Sequence, residues 1–119
     1  MATPLELIKK AAQCSVFAWH ACDRVWDIEI NRALANVSGC LDEDFEENVS
    51  LVAEASPRWN EVRKYAVDAE EWAYEVRLLL EGMREPVPAD ILTRAWYCVR
   101  AAEASSCRAQ SLAARYVDH

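Results

Sequence analysis

The chain has 119 residues, 53% of them hydrophobic, only two glycines and four prolines, and a formal net charge of −7. That length holds one domain with one core, and so few turn-forming residues argue against a many-stranded sheet and for long helices. The acidic balance disfavours direct binding to nucleic acid, and no stretch is apolar for long enough to span a bilayer.

The first helix is announced by Thr3-Pro4-Leu5-Glu6. Thr3 suits the N-cap, Pro4 the first helical position, and Glu6 completes a capping box. From there Leu7, Ala11, Cys14, Ala18, Ala21, Val25 and Ile28 step by fours and threes, with a parallel row at Ile8, Ala12, Ser15, Trp19, Cys22, Trp26 and Ala33. The middle of the first row is small, so a neighbour can approach closely there. No breaker occurs before Gly39, which predicts a rod of roughly 34 residues, with a weak point near Asp27–Asn31 where a break is expected if there is one.

Residues 42–55 read as a short helix with Phe45, Val49 and Val52 on one side. Asp42, Glu43 and Asp44 fall in its first turn, where the helix dipole favours negative charge, and Glu46 and Glu47 follow. Ala55-Ser56-Pro57 ends it and starts the next helix within two or three residues. Ser56 suits that N-cap and Pro57 its first position.

The helix from Pro57 is the expected spine of the fold. Trp59, Val62, Ala66, Ala69, Ala73, Val76, Leu80 and Met83 form an unbroken seam, flanked by Tyr65, Trp72 and Leu79 at sevens. So wide an apolar face requires more than one neighbour. Pro86 and Pro88 are expected to stop it, and Pro88 to open the last helix. That helix carries Leu92, Ala95, Val99, Ala102, Ser106, Ala109, Ala113 and Tyr116, widened by Ile91, Cys98 and Leu112. Arg94, Tyr97, Arg108 and Arg115 occupy its other side. The expected fold is all-α: a single domain, an antiparallel helical bundle of three long helices and one short helix. The five tryptophans, mostly on apolar faces, are expected to fill the core.

The five cysteines are odd in number, form no CxxC and follow no secretory signal, which predicts a cytoplasmic, reducing setting with mostly buried thiols. Cys40, beside Gly39, is the thiol expected at the surface. Chemistry finds little support. Neither His20 nor His119 completes a Glu-x-x-His pair, and there is no phosphate-binding glycine loop or nucleophile motif. The residues predict neither an enzyme nor a cofactor. The local metal-ligand candidates are His20, Cys22, Asp23 and Asp27, and helical spacing points Cys22 away from His20. Arg94, Arg100, Arg108 and Arg115 are the candidates for nucleic-acid contact, with a solvated helix face as the simpler account.

From Asp42 to Glu85 thirteen acids stand against five bases, a net of −8 that carries the whole acidic field. On the outer side of the spine, Val67, Tyr74 and Leu78 lie away from the seam among Asp68, Glu70, Glu71, Glu75 and Glu81. Apolar anchors within an acidic rim suit a basic protein surface, unless another helix of the chain covers them. By charge and size, the expectation is a non-catalytic inhibitor or adaptor of a basic partner, such as a phage anti-defence protein of the anti-CRISPR kind, an immunity protein or a nucleic-acid mimic. The alternatives are a homo-oligomeric scaffold, in its simplest form a homodimer pairing its apolar faces, and a metal- or ligand-binding bundle.

Overall fold

A computed structural model describes residues 2–36 and 45–117, without the side chain of Phe45. The protein is all-α. Among the described residues lie three long helices, α1 (Pro4–Asn36), α3 (Pro57–Leu80) and α4 (Ala89–Val117), and one short helix, α2 (Phe45–Glu54). The expected roles of Gly39, of Cys40 and of the acids Asp42, Glu43 and Asp44 lie outside the described residues.

The helix starts form as their sequences specify. Thr3 and Glu6 exchange reciprocal hydrogen bonds, Glu6 N–H to Thr3 Oγ1 and Thr3 N–H to the Glu6 carboxylate. Ser56 Oγ accepts from the Trp59 N–H and caps α3. The Asn60 side-chain amide donates to both the Glu54 and Ser56 carbonyls at 2.8 Å, which fastens the corner between α2 and α3. At α4, the Pro88 carbonyl accepts from the Leu92 N–H. α1 is continuous through Asp27–Asn31, so the weak point in its pattern produces no break.

α3 stops earlier than its prolines suggest. Glu81 leaves helical geometry at φ −62° and ψ 127°, Gly82 takes φ +77°, and the Met83 N–H donates to the Leu80 carbonyl. That is a type II turn with glycine where positive φ is needed. Met83 therefore lies past the helix and is exposed, not part of the seam.

Two core clusters fix the topology. In one, Leu7 and Ala11 of α1 meet Ala73, Val76 and Leu80 of α3 and Ala95, Cys98 and Val99 of α4. In the other, Ala18 to Val25 meet Val62, Ala66 and Ala69 and then Ala109, Leu112 and Ala113. The start of α1 thus lies against the end of α3 and the start of α4. Consecutive long helices are antiparallel, and α1 and α4 run parallel. The expected seams of α3 and α4 are buried over Val62–Leu80 and Ala95–Ala113.

These seams are mostly alanine, valine and cysteine, so the backbones approach closely and little room remains for large rings. None of the tryptophans is a fully buried core filler. Trp19, Trp26 and Trp59 lie half-buried along the edges, and Trp72 and Trp96 are exposed at 41% and 46%. Trp26 and Trp59 touch at 4.8 Å between ring centroids, which sets the first turn of α3 against Trp26. Beyond that point α1 continues for about ten residues, roughly 15 Å. There α2 packs on it, burying Val49 and Ala53, while Val52 points outward, contrary to its expected place beside Val49.

Candidate partner-binding groove

α1 and α3 share a buried seam, and on its solvent side the two helices leave an open groove of about 720 Å³. Ala12, Ser15 and Val16 form the α1 wall. Val67, Glu70, Glu71, Ala73, Tyr74, Glu75 and Arg77 form the α3 wall. Small residues make the floor because the seam demands them: Ala73 is buried, and Ala12 and Ser15 sit beside buried Ala11. Val16 and Tyr74, each the next residue after Ser15 and Ala73 and so turned farther toward solvent, are exposed and form the sides of the groove.

The apolar row read on the outer side of α3 is uncovered. Tyr74 and Leu78 are each 59% exposed, and Val67 is half-buried at the inner end of the row. Leu78 and then Glu81 extend it one turn past the groove lining. No other helix of the described chain lies over them.

The acids divide by role. Glu70 accepts a 2.8 Å hydrogen bond from the Trp19 indole N–H, which ties α3 to α1 across the groove. Glu75 pairs with Arg94 of α4 at 3.8 Å, and Glu81 with Arg77 at 3.6 Å. Glu71 is exposed, lines the groove and makes no ion pair or hydrogen bond among the described residues. Asp68 is half-buried and outside the groove lining. Glu46 and Glu47 are exposed in the first turn of α2, and they do not line the groove either. The described acids of α2 thus lie outside the groove that Glu70, Glu71 and Glu75 line.

Val16 escaped the sequence reading. Like Leu5, Phe17, Ile30 and Leu34, it is a large apolar residue of α1 that falls in neither packing row, and it and Phe17 are about half exposed. That mismatch with the seam was the available signal.

The other candidate groups stay apart. His20, Asp23 and Asp27 are exposed on α1, whereas Cys22 points into the core. Burial above all, then Asp23, pushes the Cys22 thiol up to about 11, against the pull of Arg63 and a Trp59 hydrogen bond. A thiol so reluctant to ionise is a poor metal ligand. Among the described residues no three His, Cys, Asp or Glu side chains converge as a metal site. Of the arginines on α4, Arg94 pairs with Glu75, Arg100 pairs with Glu103 and stacks on Trp96, and Arg108 lies over Tyr65. The thiols are less hidden than expected: Cys22 and Cys98 are buried, Cys14 is half-buried and Cys107 is exposed.

No helix among the described residues is long and apolar enough to cross a membrane. No protein-family model, curated protein or solved structure matches the chain.

Proposed function

We propose that the protein is a non-catalytic binding module that takes a basic, amphipathic segment of a partner protein into the groove between α1 and α3. The observation that carries this reading is the exposed row of Tyr74 and Leu78, continuous with Val67, facing Val16 and bordered by Glu70, Glu71 and Glu75. A helix of the partner would lay its apolar side on that row and set Lys or Arg against the acids. Tyr74 is a large, stiff anchor of the type that dominates interface energetics, and Glu71 is a carboxylate with no partner among the described residues. Such a module acts as an inhibitor or an adaptor. A partner that itself handles nucleic acid presents basic segments, and covering one would block it, as an anti-defence protein of the anti-CRISPR kind, an immunity protein or a nucleic-acid mimic would do.

The test is affinity capture from host lysate at about 0.05 M and 0.5 M salt, with bound proteins and nucleic acids identified, because screening at the higher salt weakens exposed charge pairs. The expected result is a Lys- and Arg-rich protein that is lost at high salt. It should also be lost, by about thirtyfold or more in affinity, with Tyr74→Ala and Leu78→Ala together, under an unchanged helical circular dichroism spectrum. Capture that survives this double substitution, or recovery of nucleic acid alone, overturns the proposal.

A further inference from the structure

The face of α1 that meets α4 carries two thiols the groove does not use. Lys10 of α1 and Glu103 of α4 pair at 3.1 Å, which marks the turns of the two helices that lie level. Cys14 follows Lys10 by four residues, and Cys107 follows Glu103 by four. Because α1 and α4 run parallel, one turn forward on each helix brings the two cysteines to the same level. In an antiparallel pair the same step would carry them two turns apart.

The local packing brings the backbones close enough. Ala11 and Ala18 flank Cys14 on the buried side of α1, and Ala102, Ser106 and Ala109 do the same beside Cys107. Alanine-lined helices pack with axes near ~8 Å and each Cα lies about 2.3 Å from its axis, so directly facing Cα atoms approach to about 3.4 Å, and positions at the margin of the seam, as Cys14 and Cys107 are, lie a few ångströms farther apart, in reach of the roughly 4.4–6.8 Å that a disulfide spans. Both thiols are free, Cys14 half-buried and Cys107 exposed. The surroundings of Cys14 agree with this register: burial, then Glu103, then Cys107 push its thiol up, against Lys10.

We propose that Cys14 and Cys107 are a cross-helix dithiol that closes to a disulfide when a small oxidised disulfide, such as glutathione disulfide, reaches Cys107. The exposed Cys107 thiolate attacks one sulfur of glutathione disulfide, forming a mixed disulfide and releasing one glutathione thiolate. Cys14 then loses its proton to solvent, and its thiolate attacks the Cys107 sulfur. The second glutathione leaves, and the Cys14–Cys107 bond forms. Two protein thiols are oxidised and one glutathione disulfide is reduced to two glutathiones. The product joins α1 to α4 across most of the chain, which restricts the unfolded state strongly and leaves the folded helices in place.

The test is to treat the reduced protein with glutathione disulfide, measure intact mass and thermal midpoint, and map cross-linked peptides. The expected product is a monomer lighter by two hydrogens, with a peptide joining Cys14 to Cys107 and a midpoint raised by on the order of 10 °C, reversed by reductant. Cys14→Ser should instead keep one glutathione on Cys107. Cys107→Ser should lose the cross-link while melting like the reduced protein. A wild-type product that retains glutathione, a covalent dimer, or a cross-link through another cysteine overturns the proposal.

Discussion

Tyr116 illustrates how single residues at the bundle edge combine three interactions. Its hydroxyl donates to the Glu61 carboxylate of α3, its ring supports the Arg58 guanidinium at 5.4 Å, and its body packs on the core cluster that holds Val62 and Ala109. The Glu61 hydrogen bond, then burial, then the Glu61 charge raise the Tyr116 pKa above its ordinary 10, with Arg115 and Arg58 opposing. The folded protein therefore holds this proton more tightly than the unfolded chain. The stabilisation is full below pH 10 and fades as pH rises through the raised value. Tyr116→Phe is expected to cost about 0.5 kcal/mol at pH 7, a small figure because the bond is solvent-exposed. Urea unfolding at pH 7 and near pH 11 checks it: the gap between wild type and variant should narrow at the higher pH. The same accounting changes how the acids of α3 are tested. Reversing Glu70 or Glu75 would also release Trp19 or Arg94, so Glu71 is the acid whose reversal reports on a partner alone.

At the scale of elements, the boundary of α3 turns on one glycine. Gly82 has open space where a Cβ would go, yet its φ of +77° is disfavoured for any L side chain. Gly82→Ala should thus destabilise by about 1–2 kcal/mol through backbone strain, without a steric clash. Urea denaturation would show the loss as a lower midpoint with an unchanged slope. This turn was hard to read in the sequence because Pro86 and Pro88, nearby, looked like sufficient stops. The starts of α1 and α3 were easy to read, since Thr3, Glu6 and Ser56 act through bonds to residues three positions away. Periodicity identified the seams of α3 and α4 for the same reason: spacing within one helix is local information. It could not say that Trp72 would remain exposed. That depends on how closely the α4 backbone lies, which is set by alanines on another helix. The groove was half legible in the same way, with its α3 wall visible in the spacing and its Val16 wall dependent on which helix stands opposite.

For the whole molecule, the small-residue seams exchange side-chain volume for close backbone approach. Ala66, Ala69 and Ala109 are wholly buried within one cluster, so there is no slack to absorb a larger group. Ala66→Leu is expected to cost about 3 kcal/mol or more, because the three helices must separate to admit it. The variant should keep its helical circular dichroism and melt at a lower temperature with a broadened transition. The seams of α1, α3 and α4 are buried against one another within this chain, while Val16, Tyr74 and Leu78 stay exposed. The assembly is a narrow body, 64 × 29 × 16 Å in its Cα extents. Its parallel α1 and α4 have a mechanical consequence. Pulling residue 4 and residue 117 apart loads their common seam lengthwise, so successive turns bear the force together. Two antiparallel helices pulled at their open ends would peel one turn at a time. Stretched along its long axis, this bundle is built to resist as a lap joint, with the strain spread over the overlap of the two helices.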